Sequence, residues 1–136
     1  MLIEFRVENH RSIRDEQALT MRAGRQDDSA DPRPRRIQGS SDPLLPAVAL
    51  YGANASGKSN VLSALGLMRN AVLQSHRAWP PDGGVPRDPF AWGEKVAQPS
   101  LFEVSLVVSG IRYQYGSPSF AWVRSFSTHF DAEPSS

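Results

Sequence analysis

The chain opens on Leu2–Glu8, where apolar Ile3, Phe5 and Val7 alternate with charged Glu4, Arg6 and Glu8. Successive side chains of an extended chain leave on opposite sides, so this period of two predicts a strand with one buried face. Asn9, His10, Arg11 and Ser12 then read as a turn, and Ala18, Leu19 and Met21 predict a short second strand over residues 17–21. Ala47, Val48, Ala49, Leu50 and Tyr51 form an apolar run without alternation, bounded by Pro46 and Gly52. Such a run predicts a strand covered on both faces at the centre of a parallel sheet. From Lys58 onward, Val61, Ala64, Leu65, Met68, Ala71 and Val72 recur at helical spacing, with Asn60, Ser63, Asn70 and Gln74 opposite them. Residues 101–108 and 111–115 read as a hairpin closed by the two-residue turn Ser109 and Gly110.

Between these elements lie two long connections. Residues 22–46 carry Gly24, Pro32, Pro34, Gly39, Pro43 and Pro46 without apolar periodicity, and predict a polar loop. Its Arg33, Arg35 and Arg36 suit either a phosphate contact or plain solvation. Residues 78–100, with Pro80, Pro81, Gly83, Gly84, Pro86, Pro89 and Pro99, predict a second loop, expected to be anchored by burial of Trp79, Phe90 and Trp92. Beyond Gly116 the patterning decays, so residues 117–136 are expected to form a poorly ordered tail, with a short strand at 120–123 at most.

Composition narrows the functional classes. At 136 residues the chain holds one domain or less. With 15 Lys and Arg against 14 Asp and Glu, it has no single-sign field of the kind a polybasic binder needs. The absence of cysteine removes disulfides, thiolate zinc sites and cysteine nucleophiles. His10, His76 and His129 have no partners at metal-ligand spacing, and Asp27 with Asp28 reads as a solvated pair. No apolar run is long enough to span a bilayer, and Glu4 and Arg6 interrupt any signal-peptide core, so a cytoplasmic location is expected.

The chemistry concentrates in Gly52, Ala53, Asn54, Ala55, Ser56, Gly57, Lys58 and Ser59, which match the phosphate-loop pattern G-x-x-x-x-G-K-[ST]. The loop must curl so that successive backbone N–H groups face one phosphate, and its two glycines remove side chains that would block that approach. Lys58 supplies a positive charge for the β- and γ-phosphates, and Ser59 offers a hydroxyl to Mg²⁺, which takes few protein ligands. The helix that follows adds its N-terminal dipole. An apolar run before the motif and an amphipathic helix after it give the context that the motif requires.

With Asn60, Val61 and Leu62 added, this string resembles the loop of ABC-type ATPases of the SMC, RecF and OLD group. It is most similar to bacterial AAA-family or abortive-infection ATPases. Those proteins open on a strand followed by N-[FH]-[RK]-S-[FI], and here Asn9, His10, Arg11, Ser12 and Ile13 follow the first strand. The resemblance covers residues 1–116. It implies an ATP-binding head with Mg²⁺ as its ion, in which Arg11 and Asn60 join the loop residues around the nucleotide and two subunits sandwich ATP. The partners implied are a second copy of the chain, or a C-terminal lobe completing the head; nucleic acid is compatible with the group.

The departures carry equal weight. Such heads hydrolyse ATP with an aspartate and an adjacent carboxylate at the end of an apolar strand, and no apolar run here ends in such a pair. A serine-glycine-glycine signature and a late switch histidine are also missing. The expectation is therefore α/β: a partial phosphate-loop NTPase core comprising a parallel strand-loop-helix unit with antiparallel additions, the N-terminal lobe of a larger head. The competing expectation is a silent interaction or nucleic-acid-binding module that keeps the loop as a relic.

Overall fold

The computed structural model of the chain describes residues 1–24, 32–53, 56–78 and 87–119. Four strands, β1 (Leu2–Glu8), β2 (Gln17–Thr20), β3 (Ser100–Val108) and β4 (Ile111–Ser119), form one sheet in the order β2-β1-β3-β4. All three pairings are antiparallel. A single α-helix, α1 (Lys58–Ala78), and a 3₁₀ turn over Gly93–Val96 complete the regular elements among the described residues.

The alternation in β1 does what its pattern requires: Ile3, Phe5 and Val7 are buried while Glu4, Arg6 and Glu8 keep access to solvent. Phe5 faces Val104, and Val7 faces Phe102, across the β1–β3 ladder. On the same face α1 contributes Ala64 and Met68, so strands and helix share one core that also takes in Ile13. Full burial of a side chain such as Phe5 or Val7 contributes about 1.5–3 kcal/mol. In α1, Ala71 is buried with Ala64 and Met68, but Val72 is 53% exposed, so the apolar stripe is narrower than its spacing predicts. The β3–β4 hairpin turns on Ser109 (φ 52°) and Gly110 (φ 80°), two successive positive φ values that match the right-handed twist of the flanking strands.

Three expectations are corrected. First, residues 47–51 are not a strand: they pair with no strand among the described residues, and Val48, Leu50 and Tyr51 are 46%, 39% and 90% exposed. The chain is mixed α/β, but its sheet is antiparallel, and no parallel strand-loop-helix unit is seen among the described residues. An apolar run becomes a strand only when a neighbour takes up its backbone hydrogen bonds, and no described strand lies beside this one. Second, β4 runs three residues beyond Gly116, with Pro118 opposite Leu101. Proline is tolerated there because β4 is an outer strand of the sheet. The remainder of the expected tail, with the strand at 120–123, lies outside the described residues. Third, Trp92 is 76% exposed and anchors nothing by burial; Trp79 lies outside the described residues.

The described parts of the two long connections hold no regular element besides the 3₁₀ turn, yet both are fastened. In the first, Leu44 is fully buried against Ile3 and Val107, with Ile37 packed beside them. Arg35 and Leu44 exchange backbone hydrogen bonds of 2.8 and 2.9 Å, and the Leu45 N–H donates to the Met21 carbonyl at 2.7 Å. In the second, the fastener is Asn9. Its Nδ2 donates to the carbonyls of Lys95 (2.7 Å), Gln98 (2.9 Å) and Pro99 (3.3 Å), and its Oδ1 accepts from the Phe90 N–H at 2.9 Å. The Ser100 hydroxyl donates to the Asn9 carbonyl at 2.6 Å.

Candidate functional site

The glycine-containing loop ends where α1 begins. Asn60 and Val61 N–H groups donate to the Gly57 carbonyl at 2.9 and 3.1 Å, which starts the helix. Gly57 has φ +88°, a left-handed conformation that an L side chain adopts only with strain, and a Cβ there would lie 3.3 Å from the Ser12 hydroxyl. The Lys58 ammonium donates to the Gly52 carbonyl (2.7 Å), the Ala53 carbonyl (2.6 Å) and the Ser56 hydroxyl (3.2 Å). One cation thus gathers three acceptors of the loop around itself, keeping the curl closed and the charge at the mouth of α1. No acidic residue sits in the first turn of α1, so nothing there opposes the positive end of its dipole. Ser59, the second helical residue, is exposed, and its hydroxyl is free of described partners. Asn54 and Ala55 lie outside the described residues.

Facing the loop is the connection between β1 and β2. Together they border a cleft of about 500 Å³, lined by Ser12, Ile13, Arg14, Asp15 and Gln17 on one side and by Leu50–Gly52, Ser56–Lys58 and Val61 on the other. That volume lies within the range of small-molecule sites. Asn60 joins the two sides: its Nδ2 donates to the Ser12 hydroxyl at 2.7 Å.

The N-terminal motif is distributed in an unexpected way. Asn9 is the structural fastener described above. His10 is buried, packs edge-on against Phe102 with ring centroids 5.5 Å apart, and neither ring nitrogen has a hydrogen-bond partner among the described residues. Burial pushes its imidazole below the ordinary range, the Arg11 charge adds to this, and Asp88 opposes it. Arg11, at φ 50°, turns away from the cleft: its N–H donates to the Asp88 carbonyl at 2.7 Å, and its Nε pairs with the Asp88 carboxylate at 3.0 Å. The structure therefore gathers Gly52, Ser56, Gly57 and Lys58 at the cleft, ties Asn60 to its opposite wall and leaves Arg11 out of the lining. Arg14, Asp15, Gln17 and Tyr51 line the cleft without having been singled out by sequence. The available signal was proximity, since Arg14 and Asp15 follow directly on the Asn9–Ile13 motif. Among the described residues no group of three or more His, Asp or Glu side chains is placed to hold a metal, and no helix is long and apolar enough to cross a membrane.

The family described as "AAA domain, putative AbiEii toxin, Type IV TA system" matches residues 47–121, more than half of the chain. Neither the curated proteins nor the solved structures contain a match.

Proposed function

Starting from the chain's membership of this AAA-domain family, a family of nucleotide-binding ATPase character, we propose that it binds ATP with Mg²⁺ between the Gly52–Ser59 loop and the β1–β2 connection. The observation that carries this reading is the Lys58 ammonium, held by two loop carbonyls and the Ser56 hydroxyl at the N-terminal end of α1 and opening on the cleft. A polyphosphate placed there meets a positive charge, the free N–H groups of the first helical turn and the end of the helix dipole. When magnesium accompanies the nucleotide it offsets phosphate charge, and Ser59 is the residue that would hold it, with water completing the shell.

In this reading the chain acts as part of an ATPase head of the SMC, RecF and OLD kind. Hydrolysis waits on a carboxylate pair brought by a C-terminal lobe or by a partner of different sequence, because no apolar run in this chain ends in one. Calorimetric titration with ATP and Mg²⁺, on the wild type and on Lys58→Ala, tests the proposal. The expected result is binding that weakens by at least about tenfold in the variant, the scale of a lost charge-assisted contact. If both proteins bind ATP equally, or neither binds, the loop is a relic and the chain an interaction module.

A further inference from the structure

The cleft wall opposite the phosphate loop carries a cation of its own. We propose that Arg14, and not the motif residue Arg11, is the second positive group that contacts the polyphosphate; this rests on the nucleotide-binding reading above. Three observations favour Arg14. It lines the same cleft as Gly52, Ser56, Gly57 and Lys58, whereas Arg11 does not. Its guanidinium makes no ion pair or side-chain hydrogen bond with the described residues, whereas Arg11 is held through both backbone and side chain by Asp88. And its place is built. The His10 and Ile13 backbones pair at 2.8 and 2.9 Å, the Arg14 carbonyl accepts the Asn9 N–H at 3.3 Å, and the Ser12–Asn60 hydrogen bond pins the connection to the first turn of α1.

The chemistry gives such a group a task. The three N–H donors of Lys58 are already matched by the carbonyls of Gly52 and Ala53 and the hydroxyl of Ser56, so Lys58 reaches a phosphate only by exchanging one of them. An arginine offers five donors in a planar fork that fits two phosphate oxygens at once, and the Arg14 side chain has no bond to the described residues to give up. Asp15 stands in the same wall and cancels much of Arg14's field at a distance. Arg14 therefore acts through direct contact with the phosphates, not as a long-range attractor.

Fluorescent ATP, ADP and AMP analogues titrated against the full chain separate the possibilities. Arg14→Gln is expected to weaken ATP about tenfold and AMP no more than about twofold, with Arg14→Lys in between and Arg11→Gln within about twofold of wild type. Arg14 is exposed, so thermal melts of its variants should overlay the wild type and exclude misfolding. The inference is overturned if Arg14→Gln binds ATP like wild type, if ATP and AMP weaken equally, or if Arg11→Gln carries the loss. Should wild type fail to bind ATP, or Lys58→Ala bind it unchanged, the phosphate-loop reading itself falls. Binding lost with Lys58→Ala and retained with Arg14→Gln refutes the role of Arg14 alone.

Discussion

Asn9→Ala is the most revealing single perturbation of the fold. The Asn9 side chain has two N–H donors and faces three carbonyls, of which Lys95 at 2.7 Å and Gln98 at 2.9 Å take the good bonds and Pro99 at 3.3 Å a marginal share. Its oxygen accepts the Phe90 N–H at 2.9 Å, so one amide group closes residues 90–99 onto the end of β1. Three well-formed bonds at about 1 kcal/mol each amount to about 3 kcal/mol. Asn9 also sits at φ 54°, a left-handed conformation in which asparagine is several-fold enriched over other side chains, so the poorer fit of alanine there adds about 1 kcal/mol. The expected loss is about 4 kcal/mol for Asn9→Ala and about 3 kcal/mol for Asn9→Gly, which removes the bonds without the backbone strain. Urea denaturation followed by circular dichroism measures both. A loss below about 1 kcal/mol in Asn9→Ala would show that water replaces the amide without cost, and that the second long connection is fastened elsewhere.

Three further outcomes are expected. His10 is buried neutral, with its imidazole displaced below the ordinary 6.5 by burial and by Arg11 against the pull of Asp88. The unfolded chain thus takes up a proton that the folded chain resists, so the stability tied to His10 is complete above about pH 6.5 and is lost as pH falls from there through the folded pKa. Melting temperatures of wild type and His10→Phe, compared between pH 7.5 and 5.5, should diverge in slope, and parallel profiles would contradict the sign. Gly57→Ala imposes a side chain at φ +88° and brings its Cβ to 3.3 Å from the Ser12 hydroxyl, so it should cost about 1 kcal/mol in a thermal melt and weaken ATP binding through the Ser12–Asn60 link; an unchanged melt with unchanged binding would refute this. Leu44→Ala should cost about 2–5 kcal/mol in urea denaturation, because its fully buried side chain is shared by Ile3 and Val107; a loss below about 1 kcal/mol would mean that residues 32–46 lie outside the core.

What the sequence made legible is what local pattern controls. The period of two in β1 and the turn chemistry of Ser109 and Gly110 depend on neighbours a few residues away, and both elements form where the pattern places them. The strand expected at 47–51 failed because hydrophobicity reports a tendency to be buried and says nothing about which backbone will pair with it. Leu44 escaped notice because a lone apolar residue among prolines has no period, although tertiary packing buries it completely. Aromatic burial is the expected anchor of residues 78–100; among the described residues Trp92 is exposed and Phe90 only half-buried, and the amide of Asn9 fastens the segment through partners more than 80 residues further along the chain. The same distance in sequence hid the fate of Arg11, since Asp88 is 77 positions away.

Lys58 illustrates why a legible motif still needed the structure. Its spacing from Gly52 identifies it as the cation of a phosphate loop, yet spacing alone leaves open what the ammonium does to the loop itself. By bonding Gly52, Ala53 and Ser56, it fixes the curl that a phosphate would enter. Of the three bonds, the one to the Ser56 hydroxyl is the longest, and it involves a side chain that can rotate away, whereas the carbonyls belong to the loop's own backbone. Exchange of that hydroxyl for a phosphate oxygen would leave both carbonyl bonds in place, so charge would reach the ligand without uncurling the loop. Lys58 thus combines a structural and an electrostatic task in one group. Its removal should disturb loop conformation and phosphate contact together, whereas truncation of the Arg14 side chain, which bonds to none of the described residues, isolates the contact.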